Sequence, residues 1–165
     1  MGRRVMMLLA LALALCVFLP AVVTAGRPMS NPFFIRGCVY CDSCRAGYEI
    51  PGFTTPIAGA CVRIECKSRE TFELTYQKEG HTDSEGNYEI TVDDDHGDEI
   101  CDVVLVSSPQ SDCASAHPGS TSSRVPITRS NGIIPPFRFA NNLGFLRDQS
   151  VPGCAQILKQ YQESD

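Results

Sequence analysis

Tryptophan is absent, histidine occurs only three times, and 14 Lys and Arg are outnumbered by 19 Asp and Glu, giving a formal charge of −5 over 165 residues. That acidic balance argues against a generic nucleic-acid binder, which needs a basic footprint. No H-E-x-x-H, no nucleophile elbow and no second C-x-x-C outside the overlapping run Cys38 to Cys44 occurs, so metalloprotease, serine-hydrolase and structural-zinc readings lack their motifs. Asn131-Gly132 is followed by Ile133, and no N-x-[ST] sequon with a non-proline middle residue exists, so N-glycosylation is not expected. After residue 25 no apolar run is long enough to span a bilayer, and no retention signal ends the chain.

What the chain does have begins at its head. Arg3 and Arg4 precede an apolar run from Val5 to Val23 that ends in Val23-Thr24-Ala25 before Gly26. Its length also suits a signal anchor, but Pro20 and the small residues at the −3 and −1 positions favour cleavage at Ala25/Gly26. Residues 1–25 are therefore read as a signal peptide, and residues 26–165 as one secreted domain in the extracellular space, free of the membrane after processing. Cys16 leaves with the leader. Cys38, Cys41, Cys44, Cys61, Cys66, Cys101, Cys113 and Cys154 remain, an even set that in an oxidising compartment reads as disulfides.

The chain around them alternates like a β protein. Phe34, Arg36, Cys38 and Tyr40 share one face of a strand and Ile35, Gly37, Val39 and Cys41 the other; Ala60, Val62, Ile64 and Cys66 alternate with Cys61, Arg63 and Glu65. Further strands are expected at Thr71 to Tyr76, Gly86 to Val92 and Ile100 to Val106, with weaker ones at Arg124 to Thr128 and Pro136 to Ala140, and a short terminal helix at Cys154 to Tyr161. Gly86, after Thr82-Asp83-Ser84-Glu85, suits a turn with positive φ. Ser107 to Ser123 reads as a surface loop tied at Cys113, its serines serving flexibility and solubility. The fold class is all-β, an antiparallel sandwich or barrel of six or seven strands. Its core is expected from Val39, Val62, Ile64, Tyr88, Ile90, Val92, Val103, Leu105 and Phe145.

Cys41-Asp42-Ser43-Cys44 invites a thiol–disulfide oxidoreductase reading, in which the first thiol sits at a helix N-terminus. The residues that follow, Arg45 to Gly52, carry two glycines and a proline and do not make that helix. In an extended segment the two Cα atoms lie about 10 Å apart, beyond the ~7 Å disulfide limit, so they seek different partners. The same argument separates Cys61 from Cys66. His81, His96 and His117 lack metal spacing and read as solvated loop histidines. Asp93-Asp94-Asp95-His96-Gly97-Asp98-Glu99 could suit calcium, but the EF-hand spacing is missing and a solvated hairpin is the better reading. No metal, no cofactor and no catalytic residue is expected.

Gly37-Cys38-Val39-Tyr40-Cys41-Asp42-Ser43-Cys44-Arg45 resembles the signature G-x-V-Y-C-D-x-C-R of the Ole e I-like family of plant pollen and extracellular proteins. The resemblance continues through Gly59 to Lys67, Gly86-Asn87-Tyr88, Glu99-Ile100-Cys101, Asp112-Cys113, Asn142-Leu143-Gly144-Phe145 and Pro152-Gly153-Cys154-Ala155-Gln156. It implies bonds between Cys41 and Cys113, Cys44 and Cys154, and Cys66 and Cys101. Cys38 and Cys61 stand where the family usually has other residues; a fourth bond between them is expected, with two free thiols or a linkage to another chain as the alternatives. The Gly59-Ala60 segment and the turn before Tyr88 also resemble prealbumin-like sandwiches. The resemblance implies a secreted, non-enzymatic plant protein that binds receptor ectodomains or cell-wall polymers in pollen or organ growth. A carrier of a small apolar ligand is the alternative, with the C-x-x-C oxidoreductase below it.

Overall fold

A computed structural model describes residues 31–163; the expected leader, its cleavage site and Cys16 lie outside them. The alternating segments form two sheets. Strand β1 (Phe33–Asp42) is the spine of the first. Its first half pairs antiparallel with β5 (Asn87–Val92) and parallel with β9 (Phe137–Phe139), and its second half pairs antiparallel with β2 (Thr55–Pro56) and parallel with β10 (Leu143–Leu146). β10 in turn takes β7 (Ser115–Ala116). The second sheet is antiparallel throughout, in the order β4 (Leu74–His81), β3 (Cys61–Ser68), β6 (Glu99–Ser107), β8 (Ser122–Arg124). Helix α1 (Cys154–Glu163) follows. The result is a two-sheet sandwich, not a closed barrel.

The parallel partners of β1 depart from the expected all-antiparallel order. They arise because β9 and β10 are reached after long crossings of the chain rather than through hairpins. Other differences are local, among them the strand expected at Arg124 to Thr128, which is instead β8 ending at Arg124. Positive φ at Phe72 (58°) turns the chain there, so the third strand starts at Leu74 and runs through His81, which puts His81 on a strand rather than in a loop. The loop from Ser107 to Ser123 contributes β7 and the start of β8. Two of its serines are structural: buried Ser120 donates its hydroxyl to the Gly144 carbonyl at 3.1 Å, and buried Ser123 accepts the Asn141 amide at 2.7 Å.

Between the sheets, odd-numbered residues of β1 (Phe33, Ile35, Val39) meet even-numbered residues of β3 (Val62, Ile64), with Tyr88, Ile90 and Val92 of β5, Val103, Leu143 and Phe145 completing the core. Leu105 packs against it half-buried. Burial at this density is the main driving force for the fold. Glycine allows two close approaches. A Cβ on Gly37 would lie 2.3 Å from the Tyr88 hydroxyl, and one on Gly80 would lie 2.7 Å from Ile90 Cγ1, so Gly80 lets β4 close onto β5. Gly86 takes the expected positive φ, 78°, while Asp83 Oδ1 accepts the amides of Glu85 and Asn87.

Candidate binding surface

The signature residues can be read one by one. Val39 enters the core and Tyr40 lies across Gly144 of β10, where any Cβ would come within 2.5 Å of the ring. Asp42 is buried: Oδ1 accepts the Cys44 amide at 3.1 Å and Oδ2 the Gly47 amide at 2.7 Å, which bends the chain after β1. Arg45, at φ 57°, donates to the Arg147 carbonyl at 2.5 Å and ties that bend to the end of β10. Disulfides join Cys41 to Cys113, Cys44 to Cys154 and Cys66 to Cys101. Each half of the C-x-x-C is thus bonded to a different distant segment and cannot cycle as a redox pair. The motif is an architectural knot.

The fourth expected bond is absent: Cys38 and Cys61 carry free thiols. Parity on the strands explains why. Cys38 lies on the outward face of β1 with Arg36 and Tyr40, and Cys61 on the outward face of β3 with Arg63 and Glu65. Two sheets stack about 10 Å apart, so outward faces of opposite sheets are farther apart than a disulfide spans. Burial, then the charge of Glu49, raises the Cys38 pKa; burial, then Glu79, raises that of Cys61 against the pull of Arg63. Both thiols are held protonated and are poor nucleophiles. Unfolding without reductant followed by alkylation is expected to recover Cys38 and Cys61 modified, and Cys41, Cys44, Cys66, Cys101, Cys113 and Cys154 unmodified; a Cys38–Cys61 cross-linked peptide would refute the assignment.

The acidic hairpin is more ordered than a solvated turn. Desolvation pulls the Asp95 pKa upward, but the Arg129 and Gly97 amides, the Thr128 hydroxyl and the Arg129 charge outweigh it and hold the carboxyl below its ordinary value. Asp95 thereby staples the loop after β5 to the segment before β9. His96 is not a solvated histidine: its side chain is only 9% exposed, its ring lies 4.7 Å from that of Tyr76, and its Nδ1 meets Glu99 Oε2 at 2.5 Å. His117, half-buried, accepts the Gly119 amide.

A surface feature that no motif announced lies at β9. In a half-buried strand the charged residue should face water, yet here Arg138 faces inward at 3% exposure while Phe139 faces outward at 72%. The Arg138 guanidinium donates to the carbonyls of Pro126, Thr128, Ile133, Pro135 and Phe137. Desolvation, then the neighbouring Arg129 charge, lowers its pKa, partly offset by Asp95. The loop wrapped around it ends in Ile133 and Ile134, the latter 96% exposed. Ile133, Pro126, Pro135, Phe137 and Phe139 line an apolar depression of 430 Å³ around the Arg138 side chain. Phe137 is braced by Phe34 at 5.6 Å and by the Arg36 guanidinium 4.0 Å above its ring. The pair Ile133-Ile134 after Asn131-Gly132 was the available sequence signal, since two adjacent large aliphatics in a turn have no inward face to share.

Other concavities lie on the outside of the sandwich. One of 370 Å³ is lined by Cys38, Tyr40, Glu49, Ile50 and neighbours, with polar and apolar groups mixed. A carrier needs a cavity for its ligand, and the space between the sheets holds the core side chains named above.

The family model described as "Pollen protein Ole e 1 like" matches residues 31–162. The chain belongs to the Ole e 1-like pollen protein family. It is 42% identical to "Pollen-specific protein C13" of Zea mays over 156 residues, spanning 94% of this chain and 91% of the maize protein. It is 41% identical to "Protein DOWNSTREAM OF FLC" of Arabidopsis thaliana over 147 residues, 89% of this chain and 88% of that one. Among solved structures, the major plantain pollen allergen Pla l 1 superposes with a TM-score of 0.66 at 31% identity, covering 74% of this chain and 99% of the allergen. Among the described residues of this Ole e 1-like protein, no helix is long and apolar enough to cross a membrane.

Proposed function

We propose that this Ole e 1-like protein works outside the cell as a non-enzymatic binding module, docking a protein ectodomain on the shelf around β9 in pollen or organ growth. The observation that carries the reading is the outward exposure of Ile134 and Phe139 on a loop held rigid by Arg138. Exposed apolar patches rimmed by charge mark protein contact sites, and rigid aromatic or aliphatic anchors supply most of the energy there. A cell-wall polymer is the poorer fit, because Ile133 and Ile134 offer no hydrogen-bond partner to sugar hydroxyls. Two sulfur bridges on the motif loop and a third within the second sheet fit a scaffold for oxidising surroundings.

The test pairs the native chain with an Ile134→Asp, Phe139→Asp variant. Ectodomains captured by the native chain from plant extracellular extract are re-expressed and their affinity measured against both. Loss of two anchors is expected to weaken binding by about 30-fold, equivalent to roughly 2 kcal/mol. Equal affinity for the two chains, or capture of wall polysaccharide alone, would overturn the reading.

A further inference from the structure

The second sheet carries a group of side chains that the binding surface does not use. Cys66 of β3 and Cys101 of β6 are directly opposed in register, and Tyr76 of β4 pairs with Cys66 from the other side. The His96 ring packs on Tyr76. One ligand atom each of Cys66, His96, Glu99 and Cys101 lies within 4.8 Å of every other. The sulfurs are joined in the oxidised chain, so the cluster is a disulfide with an imidazole and a carboxylate beside it.

The imidazole is the anomaly. Its Nδ1 faces the Glu99 carboxylate, which requires the hydrogen on Nδ1, and in the neutral ring Nε2 therefore presents a bare lone pair. That nitrogen is buried and has no hydrogen-bond partner, on a side chain more than nine-tenths buried. An unsatisfied buried acceptor costs stability and calls for an explanation. A carboxylate holding one imidazole nitrogen so that the other can donate its lone pair is the arrangement found at metal-binding histidines.

We propose that Cys66, Cys101, His96 and Glu99 form a two-state centre: a disulfide when oxidised, and a site for a zinc-class divalent cation when reduced. Reduction is by a dithiol, which gives two electrons and two protons to the S–S bond, leaving two thiols here and a disulfide on the reductant. The cation then displaces both thiol protons to solvent and is held by two thiolates and the imidazole Nε2, with Glu99 orienting the ring through Nδ1 and a water completing a tetrahedral set that suits zinc. Three features of the fold prepare the site. The β3–β6 ladder, from Cys61 to Ser68 against Glu99 to Ser107, keeps the sulfurs opposed after their bond is cut. The sheet places both cysteines in the core, where a bound cation is shielded from water. A concavity of 200 Å³ lined by His96, Glu99 and Cys101 opens beside the cluster and gives a cation a way in.

Cobalt(II) is the probe, because thiolate ligation and tetrahedral geometry each give it a characteristic absorption. The full chain is made on a Cys38→Ser, Cys61→Ser background so that the free thiols do not contribute. It is then reduced with dithiothreitol and desalted without air. One cobalt per chain is expected, with thiolate charge-transfer bands that zinc abolishes and that the oxidised chain lacks. Zinc should also protect Cys66 and Cys101, and no other pair, from alkylation. His96→Ala and Glu99→Gln should each weaken binding by at least about 10-fold, while Cys41→Ser with Cys113→Ser leaves it in place. The two single variants retain the disulfide, so their folding is checked in the oxidised state by circular dichroism. The proposal fails if the reduced chain shows no thiolate–cobalt band, or if binding is the same without His96, as it would be for an unfolded chain offering loose thiols.

Discussion

Replacing Arg138 by methionine is expected to lower stability by about 2 to 4 kcal/mol, the cost of leaving several carbonyls buried without donors even after removal of the charge. The direction follows from the environment. Arg138 has no carboxylate partner among its hydrogen bonds; five backbone carbonyls of one wrapping loop share its donors, and its guanidinium lies 4.9 Å from the Phe33 ring. Methionine restores the packing volume and none of the donors. Lysine should recover less than half of the loss, because an ammonium is a point donor and cannot reproduce the planar fork that reaches Pro126, Thr128 and Pro135 together. The check is the urea midpoint of the three chains at constant m-value, with hydrogen exchange across residues 126–139 to show that the loop loosens first. A midpoint shift worth less than about 0.5 kcal/mol, the size of an ordinary surface substitution, would mean that the loop stands without its guanidinium.

The second large effect is expected from Cys44→Ser with Cys154→Ser. These cysteines are 110 residues apart, and in the chain-entropy model closing so long a loop is worth about 4 to 5 kcal/mol. The Cys41–Cys113 bond already restricts the unfolded chain, so a loss of about 2 to 4 kcal/mol is expected. Its structural signature should be uneven. Helix α1 spans ten residues, with no acidic side chain in its first turn and no basic one in its last. Helices this short are marginal in isolation. The bond at its first residue, the small cluster of Cys44, Ile50, Phe53, Val151, Ile157 and Leu158, and the edge-on contact of Tyr161 with Tyr48 hold it down. In the double variant, exchange protection along α1 should vanish while the β3–β6 ladder stays protected. Helix and ladder amides losing protection together would show that the domain unfolds as one unit and that the bond is not a local staple.

Strand parity explains both what was legible early and what was not. The alternation of Val62, Ile64 and Cys66 against Cys61, Arg63 and Glu65 reads directly as one face in and one face out, and β3 obeys it. The same parity already placed Cys38 and Cys61 on faces other than those of Val39 and Val62. Whether two such faces look at each other depends on how the sheets stack, which no strand records in its own residues. His96 was misread for a related reason. Its neighbours in the chain are acidic and turn-forming, whereas its surroundings in space are Tyr76, Glu99 and the Cys66–Cys101 bond.

β9 inverts the rule itself. Phe137-Arg138-Phe139 reads as aromatics inward and arginine outward, because a lone cation is costly to bury. The fold reverses it by wrapping residues 126–137 around the guanidinium and satisfying it with carbonyls, which leaves Phe139 and Ile134 to the solvent.

The sequence by itself determined the β class, the family, the independence of the two cysteines in Cys41-Asp42-Ser43-Cys44, and most of the core. All of these rest on short-range order: a period of two, a motif, the span of three extended residues. Tertiary structure alone decided the parallel partners of β1, the freedom of Cys38 and Cys61, the inward turn of Arg138, and the meeting of His96 and Glu99 with the Cys66–Cys101 bond. The carbonyls that hold Arg138 lie within 12 residues of it; each of the others depends on segments tens of residues apart being placed relative to one another, and that placement is set by the packing of the whole core rather than by any local run of residues.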